Sequence, residues 1–203
     1  MIEKSVLHEL YKGPGVRYTI YAAPVGDIYI LGNGNSLKAL LFWDQSGQTS
    51  AVERFCERGE NENMLGATLV LDAYFNGNAA GKKNGAGKAR PRISVIERNG
   101  LFRITMYGID LILDLAGFTP KEIGVYRTLL AVPAGTVISY GELARRAGIP
   151  NGGRFVGNAM AGNRFPVIIP CHRVVKSDGS IGNYSGGIHI KKYLLNFEKD
   201  YGN

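Results

Sequence analysis

The sequence has few of the residues that metal centres and disulfide-bonded folds require. Its 203 residues include two cysteines, Cys56 and Cys171, and three histidines. Two cysteines cannot form a disulfide framework, and the sequence contains no CxxC or HxxxH spacing. We therefore expect neither a zinc site nor any other metal site.

Long apolar stretches are also missing. No run approaches the roughly 20 residues of a membrane-spanning helix, and residues 1–13 lack the layout of a secretory signal. These absences predict a soluble, intracellular (cytoplasmic) protein without a membrane partner. The length of 203 residues and the apolar content of 45% allow one or two domains with their own cores.

Positive charge is concentrated in the second part of the chain. The net charge is +7; residues 117–203 hold 11 Lys/Arg against 5 Asp/Glu, whereas residues 1–116 hold 13 against 12. Such an excess is compatible with a polyanionic partner such as nucleic acid, or with ordinary solvated lysines. Residues 76–92, with five Lys/Arg and no acid, are predicted to be a flexible loop, either a solvated insertion or a DNA contact.

Strand patterns dominate the first part of the chain. Residues 16–22, 27–31 and 37–43 are predicted strands, and residues 93–97 and 101–107 a hairpin around Asn99-Gly100. Residues 65–75 have helical spacing and end at Gly77. The pattern changes at residues 115–118, which predicts one domain over 1–115 and a second over 118–203.

Helix signals characterise the second domain. Thr119-Pro120-Lys121-Glu122 has the pattern of a capping box with proline at the first helical position, and Ser139-Tyr140-Gly141-Glu142 is expected to repeat it. The second box begins a short helix, residues 148–151 form a turn, and another helix is predicted over 152–161. Such a pair fits a helix-turn-helix, and an ordinary helix pair fits equally well.

The segment Pro170-Cys171-His172-Arg173 carries the most chemical information. The apolar run of residues 167–169 before it predicts a buried strand, which would hold the Cys171 thiol rigidly next to a histidine. The thiolate is the nucleophilic form of cysteine, and its pKa falls beside basic groups. A lone cysteine is more often a small buried side chain, so the surrounding motifs have to decide.

Together, five segments resemble the O6-alkylguanine-DNA alkyltransferases, which are the methylated-DNA–protein-cysteine methyltransferases. The segments are residues 139–144, 154–160, 162–163, 170–174 and 184–187. The resemblance covers residues 118–198 and is loose before them. It implies an α+β fold: a strand-rich N-terminal domain, with an antiparallel sheet plus helix like that of ribonuclease H, and a mostly helical domain with a helix-turn-helix of winged-helix type.

The family resemblance implies DNA repair by direct damage reversal. An alkyl group would pass irreversibly from O6-alkylguanine, with O4-alkylthymine left open, to Cys171, so that each chain acts once and needs no cofactor. The partner would be double-stranded DNA in the nucleoid, bound through its minor groove by a monomer, with cooperative binding left open. A non-catalytic lesion sensor or DNA-binding regulator and a Cys-His hydrolase are the alternatives.

The resemblance also assigns catalytic roles. Cys171 would accept the alkyl group, and His172 would take the thiol proton through a bound water. Glu198 would orient His172, and Asn163 would tighten the turn before Cys171 and bond near it. By residue type alone, Glu198 would be a solvated acid at a helix end and Asn163 an ordinary turn residue.

Substrate contacts follow from the same resemblance. Tyr184 and Ser185 would line the guanine pocket, Met160 would pack on the base face unless it is a core residue, and the backbone at Val174 would contact the base edge. A base inside a duplex cannot reach Cys171, so the lesion must be flipped out.

DNA contacts are expected on the helix-turn-helix. Arg154 would enter the stack behind the flipped base, and Tyr140 would press on the neighbouring phosphate. Three glycines would allow close approach to the minor groove: Gly152, Gly153 and Gly157. Phe155, where the family usually has a small alanine, would point either inward or toward the groove.

Overall fold

The computed structural model describes residues 13–43, 48–77, 91–98 and 101–199. These residues belong to two compact units, the first ending at Leu115 and the second beginning at Ala116. Residues 78–90 of the basic stretch and Asn99-Gly100 of the hairpin lie outside the described residues. The first unit is rich in strands and the second is mostly helical, so the expected α+β class is confirmed. Within the described ranges, no helix is long and apolar enough to cross a membrane.

A mixed sheet forms the first unit. Its strands are β1 (Arg17–Ala23), β2 (Gly26–Gly32), β3 (Leu37–Phe42), β4 (Glu57–Arg58), β5 (Ile93–Arg98), β6 (Leu101–Met106) and β7 (Ile109–Leu113), and its helices are α1 (Gln48–Phe55) and α2 (Glu62–Asn76). The strand order is β4-β1-β2-β3-β7-β6-β5. The pairs β4–β1 and β3–β7 are parallel and the others antiparallel. We expected an antiparallel sheet, and these two parallel pairs depart from that expectation.

Local signals explain the ends of α2. The Asn61 side chain accepts a hydrogen bond from the backbone N–H of Met64 at 3.1 Å and caps the N-terminus. Gly77 ends the helix with a φ of 70°, a left-handed conformation that glycine adopts without a steric penalty. By contrast, the sequence patterns missed β7, because the two-residue turn before it, Tyr107-Gly108 with φ values of 53° and 81°, has a tyrosine where Asn, Asp or Gly is usual.

The second unit packs helices around a short parallel strand pair. The helices are α3 (Pro120–Leu130), α4 (Tyr140–Arg146), α5 (Gly153–Ala161) and α6 (Ile188–Glu198), the strands are β8 (Ile138–Ser139) and β9 (Val174–Val175), and Cys171–Arg173 form one 3-10 turn. The helices α4 and α5 form the predicted helix-turn-helix pair. The predicted helix positions therefore agree closely with those observed in this unit.

The two predicted capping boxes differ. At α3 the box is complete, since Thr119 Oγ1 accepts from the Glu122 N–H and the Glu122 carboxylate accepts from the Thr119 N–H at 2.7 Å. At α4 only the first half forms, with Ser139 accepting from the Glu142 N–H. The full box predicted there is wrong, because the Glu142 carboxylate instead binds the guanidinium groups that follow it, Arg145 and Arg146.

Gly152 is required by the packing of the turn between α4 and α5. A Cβ at this position would lie 2.5 Å from Ile149 Cγ2 and 2.7 Å from the Ile149 carbonyl oxygen. The second contact is with backbone and cannot be relieved by a side-chain rotation. The turn therefore needs a glycine here for its own packing.

Replacing Gly152 with alanine is expected to lower the free energy of unfolding by about 2 kcal/mol, the usual size of an overpacking strain. Urea denaturation measures this change. The matched control is Gly124→Ala in α3, where, apart from the neighbouring residues and backbone of the helix itself, no heavy atom lies within 4 Å of the added methyl group. That variant should gain up to about 1 kcal/mol from helix propensity, and equal stability of the two variants would contradict the clash.

The buried strand predicted at residues 167–169 is wrong. Residues 165–169 form a buried turn in which Val167 has a φ of 71° and the Ile169 N–H donates to the Phe165 carbonyl at 2.7 Å. The Asn163 side chain supplies the bonds that a neighbouring strand would otherwise make, donating to the Ile169 carbonyl at 2.9 Å and accepting from the Phe165 N–H at 3.0 Å. Short apolar runs do not distinguish a strand from other buried segments.

Candidate active site

Cys171 opens the 3-10 turn, and only 2% of its surface is exposed. Its Sγ accepts a hydrogen bond from Asn163 Nδ2 at 3.0 Å. The same amide group also holds the Ile169 carbonyl. Asn163 therefore fixes the thiol relative to the buried turn that precedes it.

The Cys171 thiol is protonated in the resting protein. Burial raises its pKa, and the opposing effects of hydrogen bonds from Asn163 and Tyr184 and of the Lys191 charge do not offset this. The charge of Lys191 lowers this pKa, as expected of a neighbouring basic group, but burial of the charged form outweighs it. A reaction of this thiol as a nucleophile therefore needs a base.

His172 has the geometry of such a base. Its Nε2 lies 2.8 Å from Glu198 Oε1, with both side chains buried. Because a carboxylate only accepts, Nε2 carries the hydrogen and Nδ1 keeps its lone pair. Nδ1 is buried and has no hydrogen-bond partner among the residues that the structure describes. Burial lowers the pKa of His172 although Glu198 acts to raise it, so the ring is neutral and can accept a proton.

The Arg173 guanidinium holds the Glu198 carboxylate through two parallel hydrogen bonds. Arg173 Nε donates to Oε2 at 2.9 Å and Nη2 to Oε1 at 2.8 Å, while Nη1 donates to the Val132 carbonyl at 2.7 Å. The Gly135 N–H also donates to Oε2, at 3.2 Å. Burial by itself would raise the pKa of Glu198, but His172 and Arg173 outweigh it and bring this pKa below its ordinary value. Glu198 is therefore ionised, and it fixes the orientation of His172.

A cavity of about 480 Å³ opens onto Cys171. It collects several of the predicted substrate and DNA residues in one place; its lining consists of Tyr140, Gly157, Met160, Ala161, Cys171, Lys176, Gly182, Asn183, Tyr184 and Ser185. Burial raises the pKa of both tyrosines, and a thiolate at Cys171 would raise it further. Both hydroxyl groups therefore keep their protons, and that of Tyr184 donates to Cys171 in the wall of the cavity.

The remaining predicted residues do not line the cavity. Arg154 is exposed on α5 beside a half-buried Phe155, and Gly152 and Gly153 lie at the start of that helix. Val174 is fully buried, and its carbonyl accepts a hydrogen bond from Lys191 Nζ at 2.6 Å. Over the described part of the chain, no three His, Cys, Asp or Glu side chains are grouped so that they could hold a metal ion.

Comparison with known proteins decides the family. The profile described as "6-O-methylguanine DNA methyltransferase, DNA binding domain" matches residues 120–200, and the one described as "6-O-methylguanine DNA methyltransferase, ribonuclease-like domain" matches residues 16–80. A methylated-DNA–protein-cysteine methyltransferase of Mycobacterium leprae is 33% identical over 177 residues, which cover 87% of this chain and 88% of the relative. The chain belongs to the methylated-DNA–protein-cysteine methyltransferase family.

Solved structures of similar proteins agree with this assignment. The crystal structure of the Mycobacterium tuberculosis O6-methylguanine methyltransferase matches with a TM-score of 0.66 and 28% identity, over 93% of this chain and 95% of that one. The structure of Mycobacterium tuberculosis OGT in complex with DNA matches with a TM-score of 0.64 and 28% identity, over 90% and 92% of the two chains. The family predicted from the motifs is confirmed.

Two residues of this methyltransferase site escape the sequence patterns. Arg173 belongs to the predicted motif, but the sequence did not predict its two hydrogen bonds to the Glu198 carboxylate, because they depend on the fold. Lys191 is 1% exposed, and its Nζ lies 5.9 Å from the ring centroids of both Tyr140 and Tyr184. Burial lowers the pKa of Lys191 to about 8, with Cys171 acting in the opposite direction. A signal did exist, because Lys191 shares a helical face with Leu194 and Glu198 on α6.

Proposed function

We propose that this protein repairs DNA by moving an alkyl group, such as methyl, irreversibly from O6 of guanine to Sγ of Cys171. The observation that carries the proposal is a buried thiol in the wall of a cavity, in the same segment as a neutral His172 that an ionised Glu198 orients. A thioether is not reversed by reductants, unlike a disulfide or a sulfenic acid. Each chain therefore acts once.

The reaction is a displacement at carbon. Cys171 Sγ forms a bond to the alkyl carbon while the C–O6 bond breaks, and the electron pair of that bond stays on the guanine. The thiol proton passes to His172 Nδ1 through a bound water, and Glu198 stabilises the imidazolium that forms. Arg173 keeps Glu198 ionised during this step, because its fork favours the charged carboxylate.

The second unit is suited to a DNA substrate. Three residues along α5 line the cavity, Gly157, Met160 and Ala161, and Arg154 is exposed one turn before Gly157. In the proposed complex, one chain places α5 in the minor groove, with Gly152 and Gly153 at its entry, and the alkylated base turns out into the cavity. Arg154 fills the gap in the stack, and Tyr140 presses on the neighbouring phosphate.

Arg154→Ala is expected to slow methyl transfer from duplex DNA by about tenfold or more, since flipping a base costs a few kcal/mol and Arg154 would offset part of that cost. Transfer from the free O6-methylguanine base should keep its rate, because no base has to be flipped. Single-turnover rates on both substrates measure the effect. Arg127→Ala, which removes an exposed arginine on α3, is the control, and equal slowing on both substrates by Arg154→Ala would rule out base extrusion by this residue.

The experiment that tests the function uses a duplex containing O6-methylguanine with a labelled methyl group. Label should move to the protein and saturate at one methyl group per chain. Tight binding without transfer would instead identify a non-catalytic lesion sensor. Repeated turnover on an ester or amide would identify a hydrolase.

A further inference from the structure

The cavity at Cys171 is larger than a methylated purine requires. Its volume of about 480 Å³ lies within the range of roughly 300–1,000 Å³ of clefts that enclose most of a drug-sized ligand. Room therefore remains for an O6 substituent larger than a methyl group. The character of the lining decides which substituents fit.

Positive charge dominates that lining. Of the described residues around the cavity, Lys176 alone is charged and none is acidic. A second cation, Lys191, lies behind the aromatic wall, with its Nζ 5.9 Å from the ring centroids of Tyr140 and Tyr184. Without a carboxylate in the lining to offset them, the two cations make the cavity attractive to anions.

A turn places Lys176 at the cavity, and backbone hydrogen bonds of Lys176 itself close this turn. Its N–H donates to the Ser180 carbonyl at 2.9 Å, and its carbonyl accepts from the Gly179 N–H at 3.0 Å. A Cβ built on Gly182 would lie 3.4 Å from the Tyr140 hydroxyl oxygen and 3.7 Å from Lys176 Cγ. The Lys176 stem and the Tyr140 hydroxyl therefore flank the same glycine.

The Lys176 ammonium is available to a ligand. Hydrogen bonds from Ser180 lower the pKa of Asp178, and the charge of Lys176 adds to that effect. The hydrogen-bond partner of the Asp178 carboxylate is the Ser180 N–H, at 2.9 Å, and not the Lys176 ammonium. Among the described residues, no carboxylate forms an ion pair with Lys176.

We propose that Lys176 makes the site selective for guanine O6 adducts whose alkyl chain ends in an anionic group, such as carboxymethyl. The inference rests on the proposed alkyl transfer and specifies its substrate class. The Lys176 ammonium pairs with the adduct carboxylate, orients the reacting CH2 group, and offsets the repulsion between that carboxylate and the thiolate that forms at Cys171.

The chemical step is the same displacement at carbon as in the proposed methyl transfer. Cys171 Sγ bonds to the CH2 carbon, the C–O6 bond breaks with its electron pair left on guanine, and the thiol proton passes through the bound water to His172 Nδ1, as in methyl transfer. The product is S-carboxymethylcysteine at position 171. Lys176 forms no covalent bond and acts as a specificity-determining residue.

The test compares two duplexes of the same sequence, one with O6-carboxymethylguanine and one with O6-methylguanine. Second-order rate constants are measured for the wild type, Lys176→Met and Lys176→Arg. Lys176→Met should slow transfer of carboxymethyl by about fivefold, the change expected for loss of one partly exposed ion pair, and should leave methyl transfer unchanged. Lys176→Arg should retain both rates, and mass analysis of the peptide should find the carboxymethyl group on Cys171.

The control is Lys121→Ala, which removes an exposed lysine on α3 away from the cavity lining and should change neither rate. Equal slowing of both duplexes by Lys176→Met would overturn the inference, because it would identify a contact with the DNA phosphates. Unchanged rates on both duplexes would also overturn it. A wild type that transfers methyl but not carboxymethyl would refute this inference alone, whereas a wild type that transfers neither would refute the proposed function.

Discussion

Replacing Cys171 with alanine is expected to abolish alkyl transfer completely while the protein still binds the O6-methylguanine duplex. In the proposed reaction the Cys171 sulfur is the acceptor, so no residual rate should remain, and the residues proposed to contact DNA are unchanged. Label transfer measures the first effect and fluorescence anisotropy with a labelled duplex the second. Cys171→Ser should give the same result, because a serine hydroxyl is a far weaker nucleophile than a thiolate.

The fold should survive these changes. Asn163 keeps its bonds to the Ile169 carbonyl and the Phe165 N–H when Sγ is removed. The matched control is Cys56→Ala, since Cys56 is the other buried cysteine and lies in the first unit. It should retain transfer of one methyl group per chain. Labelled protein after reaction of Cys171→Ala would show that another residue accepts the alkyl group.

Glu198→Gln is expected to have the largest effect on stability. The neutral amide leaves the Arg173 guanidinium buried without its counter-charge, and breaking a buried ion pair in this way costs about 3–5 kcal/mol. Urea denaturation near neutral pH measures the loss in the free energy of unfolding. Methyl transfer should also slow, because His172 loses the carboxylate that stabilises its protonated form.

The stability difference between wild type and Glu198→Gln should depend on pH in a defined direction. The pKa of Glu198 in the folded protein lies below its ordinary value, so its contribution is fully present above the unfolded pKa of about 4.3. The contribution is lost as the pH falls through the folded pKa, and the two proteins should converge on acidification below about pH 4.3. A difference that stays constant into acid would contradict the ion pair as its source.

Glu142→Gln is the control for this experiment. Glu142 also binds two guanidinium groups, from Arg145 and Arg146, and they lower its pKa to about 2. Its partners are exposed, and solvent screens such pairs strongly. The stability of Glu142→Gln should therefore stay close to that of the wild type.

Local patterns in the sequence were enough for much of the second unit. The caps at Thr119 and Ser139 and the turn at Gly148 act over three or four residues, so the helix starts and the helix-turn-helix pair follow from neighbouring side chains. The motif around Cys171 indicated the family for the same reason, since its residues are close together in the chain. The strand β7 was missed because the turn before it has Tyr107 ahead of Gly108, at the left-handed position where Asn, Asp or Gly is the usual signal.

By itself, the sequence determined the family, the α+β class and the candidate nucleophile Cys171. Only the tertiary structure decided how that nucleophile is kept protonated, because its pKa depends on burial by distant parts of the chain. The same holds for the fork from Arg173 to Glu198, whose partners are separated by 25 residues, and for the place of Lys191 behind the cavity. Burial and charge at such sites are sums over contacts between remote segments, and no local pattern records them.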